Sequence, residues 1–402
     1  MKKTAFLQAV ILFILLTGAW FLLFQRLGNR GNGDEDKLPA PSGTLSGQED
    51  PAATEKGSPP PLTSVHADRR FPESVPDNWR EWIRYLAGQS GPEDMRRAVA
   101  DLGNALRLLP KEEAAARIME LLASGADLPT GLPFRVGRQG RVLSSGTLRA
   151  HLLDWLLELA PETAGKVARR SLEQRGTNLP PDEYLIHLRN AALAIPPEDP
   201  GREPLLRRHF KRLLAEENWM DNPGPAVAEA MDIPVYLQAT DMVPAMAGLT
   251  GRDKPLPLRH ASSLALERLV EQHPLRAARL LLASPEGKAM IPEARAGLLA
   301  RIDPSSRGAG EFLRDYLASP DTSPREASAF LGSFPNLNRS RSHNLLSPEF
   351  PDTNSPDPEE RIHRAIREVE RWKRDPELSP LRDVLAGTEE RLYRQLTGKP
   401  SP

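Results

Sequence analysis

The chain has no cysteine. That single absence excludes a disulfide-stapled scaffold, thiolate zinc and iron–sulfur sites, and a cysteine nucleophile. A surplus of either charge sign is missing too, because 53 Lys and Arg stand against 54 Asp and Glu, for a formal net charge of −1. Nucleic-acid binders announce themselves by a basic surplus or a basic face, so no nucleic-acid partner is expected. Catalytic signatures are also missing. None of the eight histidines sits in H-E-x-x-H, and no G-x-S-x-G or G-x4-G-K-[ST] occurs. The sequence therefore predicts neither a catalytic residue, nor a metal site, nor a cofactor.

Proline is what the chain has in excess, with 40 in 402 residues against an ordinary usage of about 5%. Long uncharged runs occur once, from Thr4 to Phe24. As a helix rising ~1.5 Å per residue, that run spans about 31 Å, which matches a hydrocarbon core of ~30 Å. Lys2 and Lys3 precede it and Arg26 follows. A cleavable signal has a shorter apolar region of ~7–15 residues, so residues 1–27 read as an uncleaved signal-anchor, with a cleaved signal as the runner-up. Lys and Arg are nearly balanced across the run, and its placement favours export of the rest of the chain to the periplasmic or extracellular side. The cytoplasmic side, or secretion after cleavage, remains the alternative. Residues 28–75 are rich in Gly, Pro, Ser, Asp and Glu and are expected to form a flexible tether.

From residue 76 to 335 the pattern is one of short helices in series. The stretch 147–160 places Leu148, Leu152, Trp155, Leu156 and Leu159 on one face, and Leu153 and Leu157 widen it. Further helices are expected over 79–87, 93–109, 111–123, 162–174, 182–195, 203–217, 235–249, 264–282 (interrupted at His273-Pro274), 293–301, 308–318 and 325–334. Prolines sit at the seams, as at Pro110, Pro161, Pro196, Pro274, Pro304 and Pro320. There they stop one helix and open the next, because the missing N–H costs nothing in a first helical turn. Of the 40 prolines, 24 fall in residues 77–335, about one in 11, close to a mean helix length of ~11–12. The excess punctuates helices. Serial short helices with proline seams resemble an α-solenoid of the HEAT kind, by architecture only, and the tetratricopeptide and ankyrin signatures are absent. The expected fold is all-α, an irregular α-solenoid or α-α superhelix, with an irregular helical bundle as competitor.

Residues 134–143 break the helical pattern with two short apolar-alternating arms around Gly137 and Gly140, a β-hairpin signature. It carries Arg135, Arg138 and Arg141, either a cationic contact point for a carboxylate, phosphate or acidic partner or a solvated surface hairpin. A second basic cluster, Arg207, Arg208, Lys211 and Arg212, lies on a helix whose buried side is Leu205, Leu206, Phe210, Leu213 and Leu214. It reads as a polyanion patch or as a solvated face. Glu183 and His187 share a helix face at i, i+4, the spacing of two metal ligands and equally of a charge pair.

Residues 336–357 are polar and read as a linker, and residues 358–398 as a helical hairpin with the stripe Ile362, Ile366, Val369 and Trp372. That hairpin either closes the apolar stack or docks a partner helix. The functional expectation is a membrane-tethered helical-repeat scaffold, anchored through residues 4–24, that binds other proteins of the cell envelope without catalysis. Two alternatives stand beside it. One is an all-helical (α/α-barrel or toroid) enzyme on an envelope polymer, its cleft lined by Trp79, Trp82, Trp155 and Trp219. The other is a purely structural assembly factor.

Overall fold

A computed structural model describes residues 79–339, 341–349 and 357–397. The signal-anchor and tether expected over 1–27 and 28–75 lie outside the described residues. Among the described residues no helix is long and apolar enough to cross a membrane. Of these residues 71% are helical and 2% are in strands, which makes the fold all-α with one small sheet.

The order begins with α1 (Trp79–Ala87), α2 (Pro92–Leu108) and α3 (Lys111–Ala123). A hairpin of β1 (Arg135–Val136) and β2 (Val142–Ser144) follows, with a 3-10 turn at Arg138–Gly140. Then come α4 (Leu148–Leu159), α5 (Pro161–Gln174), α6 (Pro181–Ala194) and α7 (Arg202–Leu214). Four short helices follow: α8 (Glu217–Asp221), α9 (Pro225–Glu229), α10 (Asp232–Tyr236) and α11 (Val243–Gly248). The series continues with α12 (Leu256–Gln272), α13 (Pro274–Ala283), α14 (Pro285–Ala289), α15 (Pro292–Leu299), α16 (Ala309–Ala318) and α17 (Pro324–Ser333). It ends with α18 (Pro358–Lys373) and α19 (Arg382–Thr397).

Proline does at the seams what its chemistry dictates. It opens α2, α5, α6, α13, α14, α15, α17 and α18, and single residues, Ala160 and His273, separate α4 from α5 and α12 from α13. The expected helix over 235–249 is instead two, because Gln238 turns the chain at φ 50° and Pro244 opens a new helix behind it. A hydroxyl cap starts α4, where the Thr147 side chain accepts from the Ala150 N–H.

The helices bury two apolar clusters. The first unites Trp82, Leu86, Leu102, Leu106, Ile118 and Leu121 of α1–α3 with Leu152 and Leu156 of α4. The second runs from the hairpin to α19. Helix α4 touches both, since Leu152 and Leu156 face one cluster and Leu153 faces the other. Its two-sided apolar surface therefore places the hairpin that precedes it. At the far end Trp372 of α18 packs on Phe334, ring centroids 5.3 Å apart, so the C-terminal hairpin joins the second cluster.

The small sheet is antiparallel, pairing Arg135 with Ser144 and Val136 with Val142. Its turn is held from inside. Gly140 has φ 71°, and a Cβ there would lie 2.1 Å from the Leu345 carbonyl oxygen. Residues 341–349, within the stretch read as a linker, form a packed strap in which Leu345 is fully buried. Asp232 of α10 fastens the strap by accepting from the Ser342 hydroxyl at 2.8 Å and from the Leu346 and Ser347 N–H groups at 2.7 Å. Replacing Gly140 by alanine combines left-handed strain with a backbone clash, and should cost more than about 2 kcal/mol. Chemical denaturation of the Gly140→Ala chain checks this, and hydrogen exchange should show the loss concentrated in the hairpin and strap.

Candidate functional site

A cleft opens between α2, the hairpin and α4. Its volume is about 200 Å³, and its lining includes Arg96, Arg107, Arg141, Leu143, His151 and Trp155. The depth comes from a glycine. Gly103 of α2 lies so close to Trp155 that a Cβ there would meet the indole at 2.8 Å, and the ring therefore lies against bare helix backbone. His151 stands one turn before Trp155 on α4, ring centroids 5.9 Å apart.

Buried ionic chemistry fixes the hairpin side of this cleft. Arg189 of α6, 1% exposed, donates from Nη1 to Asp154 of α4 at 2.5 Å and also to the Gly140 carbonyl. Its Nε and Nη2 donate to the Asn190 side-chain oxygen at 3.1 and 2.8 Å, and Asn190 in turn donates to the Leu153 carbonyl. Asp154 accepts a further bond from the Val142 N–H at 3.3 Å. Strand β2 is thus tied to α4 and α6, and its next residue outward, Arg141, is set at the mouth of the cleft.

At that mouth Arg107 grips Glu158 with two parallel bonds, Nε and Nη2 donating at 2.8 Å each. The fork holds the Glu158 carboxyl below the usual carboxylate range. Arg141 stands farther from the same carboxylate, at 3.6 Å, with a 60% exposed side chain. Leu143 beside it is 59% exposed, and Leu108, next along α2 from Arg107, is 87% exposed. Deep inside, His151 is 3% exposed and its Nε2 has no hydrogen-bond partner. Burial pushes its imidazole down to about 4, so the ring is neutral at pH 7.

Arg141 is the hairpin arginine that shares the cleft, whereas Arg135 and Arg138 are exposed on the hairpin and do not line it. The α7 cluster divides: Arg207 is spent on Glu203 and Asp241, at 2.7 and 2.6 Å, while Arg208, Lys211 and Arg212 face solvent. Glu183 and His187 do share a helix face, and α6 buries both. Arg149 closes over the carboxylate with Nε and Nη2 at 3.2 Å, and Arg175 stands 3.5 Å away. Burial pushes the Glu183 carboxyl up, but His187 and Arg149 outweigh it and hold the carboxyl at about 2. That arrangement is a buried charge network. Among the described residues no cluster of three His, Asp or Glu is placed to hold a metal. Of the tryptophans, Trp82 and Trp155 are buried and Trp219 packs edge-on against Tyr184.

The depressed histidine gives a pH test. Unfolded His151 takes a proton below its ordinary value near 6.5, whereas the folded ring waits until about 4. In that window the unfolded state binds more protons, so the stability contributed by the neutral ring is lost as pH falls. A His151→Gln chain lacks this slope. Its stability difference from the wild type should therefore shift by about 2 kcal/mol between pH 6.5 and 5, in the direction that penalises the wild type. Urea titrations of both chains at the two pH values measure the shift. The chain matches no protein-family model, no curated protein and no solved structure, so the cleft's chemistry rests on its own residues.

Proposed function

We propose that this chain is a membrane-tethered helical scaffold, solenoid-like in its serial packing, that binds other proteins of the cell envelope. The hairpin cleft is its contact point. The observation that carries the reading is the juxtaposition at the cleft mouth. Leu143 is exposed there beside the guanidiniums of Arg96, Arg107 and Arg141. A large apolar side chain held out to water on a fixed hairpin, rimmed by arginine, is the composition of an interface anchor. The uncharged run from Thr4 to Phe24 supports the membrane tether, and it keeps the body within reach of envelope partners.

A photo-crosslinking amino acid at position 143 tests both parts in intact membranes. A second chain carrying it at Lys166, a solvent-facing residue of α5, serves as the control. The expected result is a discrete protein adduct from position 143 alone, with the chain retained in membranes after an alkaline carbonate wash. Adducts from both positions or from neither would overturn the contact site, and release by the wash would overturn the tether.

A further inference from the structure

We infer that the hairpin cleft is a carboxylate site that takes the C-terminal residue of a partner polypeptide. This inference rests on the scaffold reading and names what that scaffold grips.

Size sets the first limit. A cleft of about 200 Å³ is smaller than the ~300–1,000 Å³ that hold drug-sized ligands and cofactors. It has room for one residue rather than a nucleotide or a sugar chain. Its walls are mixed in a specific order: Leu132, Leu143 and the Trp155 ring are apolar, and the guanidiniums stand at the rim. An occupant must therefore pair an apolar side chain with an anionic group close beside it, which is the composition of an apolar chain-terminal residue.

Charge sets the second. Four guanidiniums (Arg96, Arg107, Arg141, Arg189) meet three carboxylates (Glu93, Asp154, Glu158), leaving one positive charge in excess. Arg107 has both Glu158 oxygens, and Arg189 has Asp154. Arg141 makes no guanidinium hydrogen bond among the described residues and is the group with donors to spend. A monoanion balances the excess, whereas a phosphate dianion would bring a second charge beside Asp154 and Glu158.

The third observation is His151. The residue lines the cleft, and its Nε2 is buried and unpartnered. A buried polar nitrogen without a partner is costly, and a ligand that supplies one recovers that cost. Either tautomer serves: an Nε2–H donates to the carboxylate, and a bare Nε2 accepts from the last peptide N–H.

Titration of the full chain in detergent micelles tests this with four probes, read by calorimetry: a hexapeptide ending in leucine, its C-terminally amidated twin, N-acetyl-leucine and inorganic phosphate. The peptide acid should bind, and amidation should weaken it at least tenfold. Arg141→Gln, a substitution at an exposed side chain, should weaken the peptide acid about tenfold while leaving the amide and the melting temperature unchanged. N-acetyl-leucine should compete more weakly than the peptide, and phosphate more weakly still. Equal binding of acid and amide, or indifference to Arg141→Gln, would overturn the carboxylate site. Competition by N-acetyl-leucine as strong as the peptide's would overturn the polypeptide source in favour of a free carboxylate, and stronger competition by phosphate would overturn the monoanion. A position-143 adduct that persists without any acid preference leaves the scaffold standing and removes only this inference. Acid preference without an adduct does the reverse.

Discussion

Arg189 and Asp154 form an ion pair in the interior, and the surrounding structure is organised to let it stay there. Taking two charges out of water costs several kcal/mol per ion, which their attraction repays only when the remaining donors and acceptors are also satisfied. Here they are. The guanidinium donors go to Asp154, Asn190 and the Gly140 carbonyl, and the carboxylate also takes the Val142 N–H. Satisfying the pair fixes the hairpin turn, because one of those acceptors is the turn itself. The turn must then be a glycine in the left-handed region, with the strap's Leu345 closed over it. One buried pair thus sets the relation of α4, α6, the hairpin and a strap more than 150 residues further on.

The cleft inherits its rigidity from that arrangement. Strand β2 is held at Val142, so Arg141 and Leu143 on either side project from a fixed backbone rather than a mobile loop. Opposite them, α2 can approach α4 closely because Gly103 offers no side chain to the Trp155 ring. His151 lines the same cleft one turn from Trp155, and its neutral state follows from burial rather than from a partner. Preorganised donors of this kind lose little conformational freedom on binding, which is where a small site gains its affinity.

Much of the fold could be read from residue patterns. The leucines of 147–160 correctly placed a two-sided helix, and the prolines marked helix starts because a missing N–H is tolerated only there. Gly137 and Gly140 marked the hairpin. The site was far less legible. Arg141 stood out as part of a basic cluster, but nothing local distinguished it from Arg135 and Arg138, since the cleft is made by α2 and α4. His151 looks like any polar residue in an apolar helix until Trp155 and α2 close over it. Arg189 carries no local signal of its role, because a lone arginine in a helical stretch normally faces water. Its signal, an arginine amid the buried run Leu188, Asn190 and Ala191, becomes visible only once α6 is known to be covered on all sides. The spacing of Glu183 and His187 named the right face, while the Arg149 that claims Glu183 comes from 34 residues earlier. Residues 341–349 are polar enough to read as linker, yet the Ser342 hydroxyl and the Leu346 and Ser347 N–H groups are spent on Asp232.

A chain with no cysteine must set the register of its helices by other means, and the recurring device is an arginine reaching to an acid two or three helices away. Arg149 meets Glu183, Arg295 of α15 forks Glu326 of α17 at 2.7 and 2.6 Å, and Arg301 meets Glu267 and Glu271 of α12. Arg314 of α16 forks Asp375, beyond α18. Leucine and alanine faces alone allow helices to slide by a turn at modest cost, because apolar contact is non-directional. A guanidinium fork does not slide: it matches a carboxylate in one plane and leaves a buried charge unpaired when displaced. Serial helices divided by proline offer many near-equivalent packings, and the buried arginine pairs select among them. The same residue type, left with donors to spend at Arg141, stands at the mouth of the cleft.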